Sequence, residues 1–136
     1  MNYKIIIKLL YLPFLVYVFN NTVQSLALNF YYIYSVDTLS HFLGGLSIAY
    51  SINYALTLIE QKKWITIKKN FLRATIIIGA VMTTAVLWEF YEFIYDVLAL
   101  GTAMQPSVAD TIKDLCMGMI GAIVFGAGII HKGKKY

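Results

Sequence analysis

The chain has 136 residues, 60% of them hydrophobic and 13% charged, with a formal net charge of +4 and a mean hydropathy of +0.69. A soluble domain needs roughly a quarter charged residues to cover its surface, so this composition excludes an ordinary soluble domain and makes lipid a large part of the solvent. The single Cys116 excludes an internal disulfide framework.

A spanning helix needs about 20 mostly apolar residues to cross roughly 30 Å of hydrocarbon. The first predicted helix covers about 5–28 and is interrupted by Pro13 and by a polar patch of Asn20, Asn21, Gln24 and Ser25. Lys4 and Lys8 ahead of this run look like the start of a secretory signal. The apolar character continues past Asn21, however, and no small-x-small cleavage site closes it, so the segment is expected to remain. The second helix, about 39–59, carries Gly44, Gly45, Ser47, Ala49 and Ser51. The third and longest covers about 71–98. The fourth, about 111–130, holds Cys116 as a small apolar filler and places Gly118, Ala122 and Gly126 four residues apart. Small residues at that interval let helix backbones approach closely in lipid. The runs are too long for barrel strands and do not alternate as such strands do. The expectation is an all-α membrane protein, a bundle of four transmembrane helices forming a single integral membrane domain over residues 1–136.

Lysine and arginine give the orientation. Lys4 and Lys8 lie at the N-terminus; Lys62, Lys63, Lys68, Lys69 and Arg73 lie between the second and third helices; Lys132, Lys134 and Lys135 lie at the C-terminus. The other two connections, Asn29 to Thr38 and Ala99 to Pro106, contain none. Short basic loops stay cytoplasmic, so both termini are expected inside a multi-pass cell-membrane protein, and only Lys113 departs from the pattern. The positive charge is thus an orientation signal, in places touching anionic lipid, and no nucleic-acid partner is expected.

Of the seven acidic residues, Glu60 belongs to the cytoplasmic end of the second helix, and the other six map to the opposite side. Asp37 opens the second helix, with His41 one turn below it on the same face. Glu89, Glu92 and Asp96 form a stripe over two turns at the end of the third, and Asp110 and Asp114 share a face at the start of the fourth. Sixteen residues separate Arg73 from Glu89, about 24 Å of helical rise, so Glu89 lies within the outer hydrocarbon. A charged side chain there costs on the order of 2.5–3.5 kcal/mol and usually faces the bundle interior. Converging carboxylates repel one another unless a cation is present, and helical bundles that hold two metals use similar placements. The candidate metal ligands are therefore Asp37, His41, Glu89, Glu92, Asp110 and Asp114, with Asp96 as a further candidate. Asn20 and Gln24, at the same depth, and Lys113 are candidates for an outer layer of hydrogen bonds.

Taken singly, most of these have plainer readings. Asp37 and Asp110 are suited to N-cap the second and fourth helices, Asp96 to sit solvated at the interface, and His41 to be a structural hydrogen-bonding residue. Glu89 and Glu92 resist such readings, since no cap needs them. Trp88, Tyr91, Tyr95 and the group Tyr31, Tyr32 and Tyr34 read as an outer aromatic belt.

At these residues the sequence resembles the YjdF-type family of small bacterial membrane proteins and, more distantly, the VanZ-like proteins. The resemblance runs through Asp37-x-x-x-His41-Phe42 with Gly44 and Gly45 following, Glu89-x-x-Glu92, Asp110-Thr111-x-x-Asp114 and Gly121-Ala122. It covers roughly Tyr34 to Phe125 and leaves out the first helix. Ala109 stands where the resemblance leads one to look for tryptophan, and Asp96 has no counterpart in the motif. The resemblance implies a membrane bundle of four to six helices with a polar cluster.

Three functions fit. In the first, a divalent cation (Mg, Mn, Ca or Zn) held by carboxylates and His41 polarises an oxygen of an envelope or lipid substrate on the extracytoplasmic side. In the second, a non-enzymatic protein uses the same acids to handle cations or protons. In the third, the cluster only pins helices together. No serine or cysteine nucleophile constellation and no glycine-rich phosphate loop is present. With so little chain outside the membrane, a complete substrate pocket is expected to need a homodimer.

Overall fold

The computed structural model describes residues 3–26, 35–98 and 105–133. Four helices occupy them: α1 (Tyr3–Leu26), α2 (Val36–Gln61), α3 (Asn70–Leu98) and α4 (Val108–Gly133). Each contains a span long and apolar enough to cross a membrane, and there is no strand among the described residues. In lipid the backbone has no water to bond with, so an isolated apolar run closes its hydrogen bonds within itself, as a helix. Tyr31, Tyr32 and Tyr34 lie outside the described residues.

The core sits between α2, α3 and α4, where Ala49, Leu56, Ile77, Val81 and Ala122 are buried against one another. Two glycines set the approach of α2 to α4. A Cβ at Gly45 would collide with the backbone carbonyl of Gly118, and one at Gly121 with that of Phe42. Gly126 lets α4 onto α3 in the same way, since its added Cβ would lie 3.2 Å from Ala74 Cβ. Gly44 is different: a Cβ there meets nothing within 4 Å. Large side chains such as Phe71, Leu87, Phe90 and Phe93 point outward, the arrangement expected where the surrounding solvent is lipid rather than water.

α1 contributes no buried residue and packs against α2. Pro13 lies inside it and has no N–H to give the carbonyl of Leu9, four residues earlier. The Ser51 hydroxyl of α2 donates to that carbonyl at 2.5 Å, so the helix defect becomes the attachment point. Lys8 Nζ lies 5.7 Å from the centre of the Tyr54 ring on the same side.

The end of the bundle formed by the α2–α3 turn is held by Arg73. Its Nε donates to Asn53 Oδ1 at 2.7 Å, and its Nη2 to the Asn53 carbonyl at 3.0 Å and Thr57 Oγ1 at 2.7 Å. Its Nη1 donates to Glu60 Oε2, whose partner oxygen Oε1 accepts from the Ile67 N–H at 3.0 Å. Arg73 therefore ties α3 to α2, and Glu60 ties down the turn between them.

Candidate metal centre

The opposite end brings together the first turns of α2 and α4 and the last turns of α3. Both first helices of this set begin earlier than hydropathy suggests. α2 starts at Val36 behind Ser35, which takes a left-handed conformation (φ 49°) and makes no side-chain cap bond. α4 starts at Val108 behind Ser107, whose hydroxyl accepts from the Asp110 N–H at 3.1 Å. Neither Asp37 nor Asp110 is an N-cap; both lie inside the helix. Their polar first turns hid the helix starts, because apolarity sets in only after the charged residues.

His41 is the hub. Its Nε2 lies 3.5 Å from Asp37 Oδ1 and 3.9 Å from Asp114 Oδ2. Two groups of donors share it, Asp37–His41–Asp114 and His41–Glu89–Glu92, and in each the donor atoms lie within 4.8 Å of one another. Asp114, Glu89 and Glu92 are buried, at 3%, 5% and 7% exposure. Four carboxylates thus surround one imidazole in a region of low dielectric, while anionic groups at the starts of α2 and α4 gain from the helix dipoles.

Hydrogen bonds hold parts of this arrangement. Trp88 Nε1 donates to Glu92 Oε1 at 2.8 Å. Gln105 Nε2 donates to Glu89 Oε2 at 2.9 Å, while the Gln105 backbone N–H donates to Asp96 Oδ2 at 2.8 Å. Glu89 Oε1 and Asp114 Oδ1 are buried and have no hydrogen-bond partner among the described residues. Leaving a buried acceptor unsatisfied costs about 1–3 kcal/mol, more when it is charged. The two residues that carry them, on different helices, belong one to each donor group.

The remaining candidates sit differently. Asp110 pairs with Lys113 Nζ at 2.5 Å and joins neither donor group, and Lys113 reaches only within 3.7 Å of Asp114 Oδ1 from an exposed position. Asp96 is bound to the start of the next segment through Gln105 and is also in neither group. Asn20 lines a cavity of about 400 Å³ that begins at His41 and runs between α1, α2 and α3. Gln24, one turn further along α1, is half-buried and does not line it.

Residues 5–133 match the family described as "Predicted membrane protein (DUF2238)". The chain belongs to that family. The YjdF-type proteins it resembles fall within the same family, and the match takes in α1, which the motif resemblance left out. No curated protein and no solved structure matches the chain.

Sequence reasoning missed Gln105 and misplaced Trp88. Gln105 precedes a proline in a connection, with no periodicity to mark it. Trp88 turns toward the cluster instead of joining an outer belt, with its ring edge-on to Tyr17 at 6.0 Å; its four-residue spacing from Glu92 was the available signal.

Proposed function

We propose that this membrane protein holds a divalent cation between α2, α3 and α4 and uses it to act on an envelope or lipid substrate. The observation that carries the reading is a pair of buried carboxylate oxygens with no hydrogen-bond partner among the described residues, Glu89 Oε1 and Asp114 Oδ1, on residues that belong one to each donor group around His41. A cation offsets the mutual repulsion of the four carboxylates and meets the two oxygens that no hydrogen bond among the described residues reaches. One imidazole among carboxylates suits Mg, Mn, Ca or Zn. Such an ion polarises a carbonyl or phosphoryl oxygen and activates water. Glu92, steadied by Trp88, and Asp37 are then placed to take up or return a proton. Asp110, Asp96 and Lys113 act around this centre, not in it.

We place the cluster toward the extracytoplasmic side on the strength of the basic loops alone. The more distant VanZ-like resemblance rests on the same motif residues and carries no phenotype here. Labelling of single cysteines in intact cells reads the orientation: Ser107→Cys reacts and Lys68→Cys does not, and the reverse pattern inverts the topology.

Elemental analysis of gently purified protein tests the cation directly. Stoichiometric divalent metal is expected, lost on chelation with a fall in thermal stability, and reduced at least severalfold in Glu89→Gln and Asp114→Asn. Affinity falls on acidification because protons compete for the same oxygens. Metal-free protein whose thermal stability ignores chelator overturns the reading. Metal-loaded protein with no turnover of lipid, in which Glu89→Gln changes only cation uptake, assigns the site to cation handling instead.

A further inference from the structure

The cavity beside the cluster has one polar end and a long apolar remainder. Along α1 it extends from Leu10 to Asn20, a rise of about 15 Å, with Pro13, Phe14 and Tyr17 between. Ile48 and Val81 form part of the facing wall, and Gly44 and Gly45 form its floor on α2. At about 400 Å³ it falls at the small end of the roughly 300–1,000 Å³ typical of ligand sites.

The polar end is unsatisfied. Ser40 is 6% exposed, lines the cavity, and its hydroxyl has no hydrogen-bond partner among the described residues; the same holds for the buried Asn20 Oδ1 opposite. Among the described residues no lysine or arginine lines the cavity, while His41 at its end is ringed by the carboxylates of the candidate centre. A ligand here therefore needs a hydrocarbon body, a head that donates hydrogen bonds to Asn20 and exchanges one with Ser40, and no negative charge. With four carboxylates at the cluster, even one bound divalent cation leaves an excess of negative charge facing the head.

We propose that this cavity binds a neutral, single-chain lipid with a hydroxyl-bearing head, of the monoacylglycerol class, with its chain along α1 and its head at Asn20, Ser40 and His41. The inference rests on the metal-site reading in one respect: it names the substrate class that would lie beside the cation. The binding itself needs no metal and is measured without it.

The test uses the full-length protein in mild detergent and a monoacylglycerol carrying a photoreactive diazirine in its chain. Labelling is expected to saturate and to map to α1, α2 and α3 at the cavity wall. Unlabelled monoacylglycerol should compete, and a fatty acid of equal chain length should not. Gly44→Ala and then Gly44→Leu fill the cavity in steps, because a side chain there enters open space, and labelling should fall in the same order while bound metal is unchanged. Ser40→Ala should weaken labelling roughly tenfold, the effect of losing one buried hydrogen bond. Glu92→Gln should lose metal and keep its labelling. Labelling that fails to saturate, ignores Gly44→Leu, or is competed equally by the fatty acid overturns the proposal. Labelling that follows Gly44 in a protein that never carries metal upholds this inference while the cation reading fails.

Discussion

Arg73 at one end of the bundle and His41 at the other are both ringed by polar side chains from a neighbouring helix, yet the two ends treat charge in opposite ways. Around Arg73, donors and acceptors match: one guanidinium meets Asn53, Thr57 and Glu60, and the second oxygen of Glu60 meets a backbone N–H. Around His41 the match is incomplete: two carboxylate oxygens from different helices have no hydrogen-bond partner among the described residues. A matched buried network holds helices in register and asks for nothing else. An unmatched one is destabilising on its own and persists where something outside the chain completes it. The bundle thus separates a matched, structural pole from an unmatched one along the same helices.

The largest effect is expected at the structural pole. Arg73→Met removes four side-chain hydrogen bonds to α2, which at about 0.5–1.5 kcal/mol each costs about 2–6 kcal/mol; thermal unfolding in mild detergent measures it. Arg73→Met with Glu60→Met should recover only the part that comes from leaving Glu60 without its cation, since the bonds to Asn53 and Thr57 stay lost. Under chelation, Glu89→Gln should do the opposite and leave stability level or higher. Equal losses from Arg73→Met and metal-free Glu89→Gln would erase the distinction between the poles.

An intermediate effect is expected where the poles are coupled. Gly121→Leu forces α2 from α4 at Phe42, next to His41, at a cost of about 1–3 kcal/mol for overpacking. Because Asp114 and His41 lie on the two helices driven apart, bound metal should fall as well. A stable Gly121→Leu variant with full metal content would show that the crossing does not set the site. The smallest effect belongs to Asp110→Asn. An exposed pair such as Asp110–Lys113 is worth at most about 1 kcal/mol, so stability should barely change and metal content should stay whole.

Much of the bundle was legible because lipid imposes a simple rule on length and polarity: apolar runs of about 20 residues become helices. The gathering of Asp37, His41, Glu89, Glu92 and Asp114 was legible for a related reason, since carboxylates on three helices at one depth have few places to go but inward. What spacing could not say is which of the acids meet. Asp110 and Asp114 share a helix face in sequence, but Lys113 draws the first aside while the second goes in. Arg73 was equally hidden. A basic residue beside a lysine-rich turn reads as an orientation signal, and nothing local announces that it folds back onto α2. The helix starts were misplaced because polar first turns look like loops until their neighbours are known.

The hydroxyl of Ser51 at the carbonyl of Leu9 bears on how the protein is assembled. α1 leaves the ribosome before the helices it packs against, yet it supplies none of the buried side chains, and the close crossings at Gly45, Gly121 and Gly126 involve only α2, α3 and α4. The three later helices can therefore close on one another first. α1 can then dock onto a formed three-helix unit, with the carbonyl released by Pro13 fixing the height along α2 at which it settles.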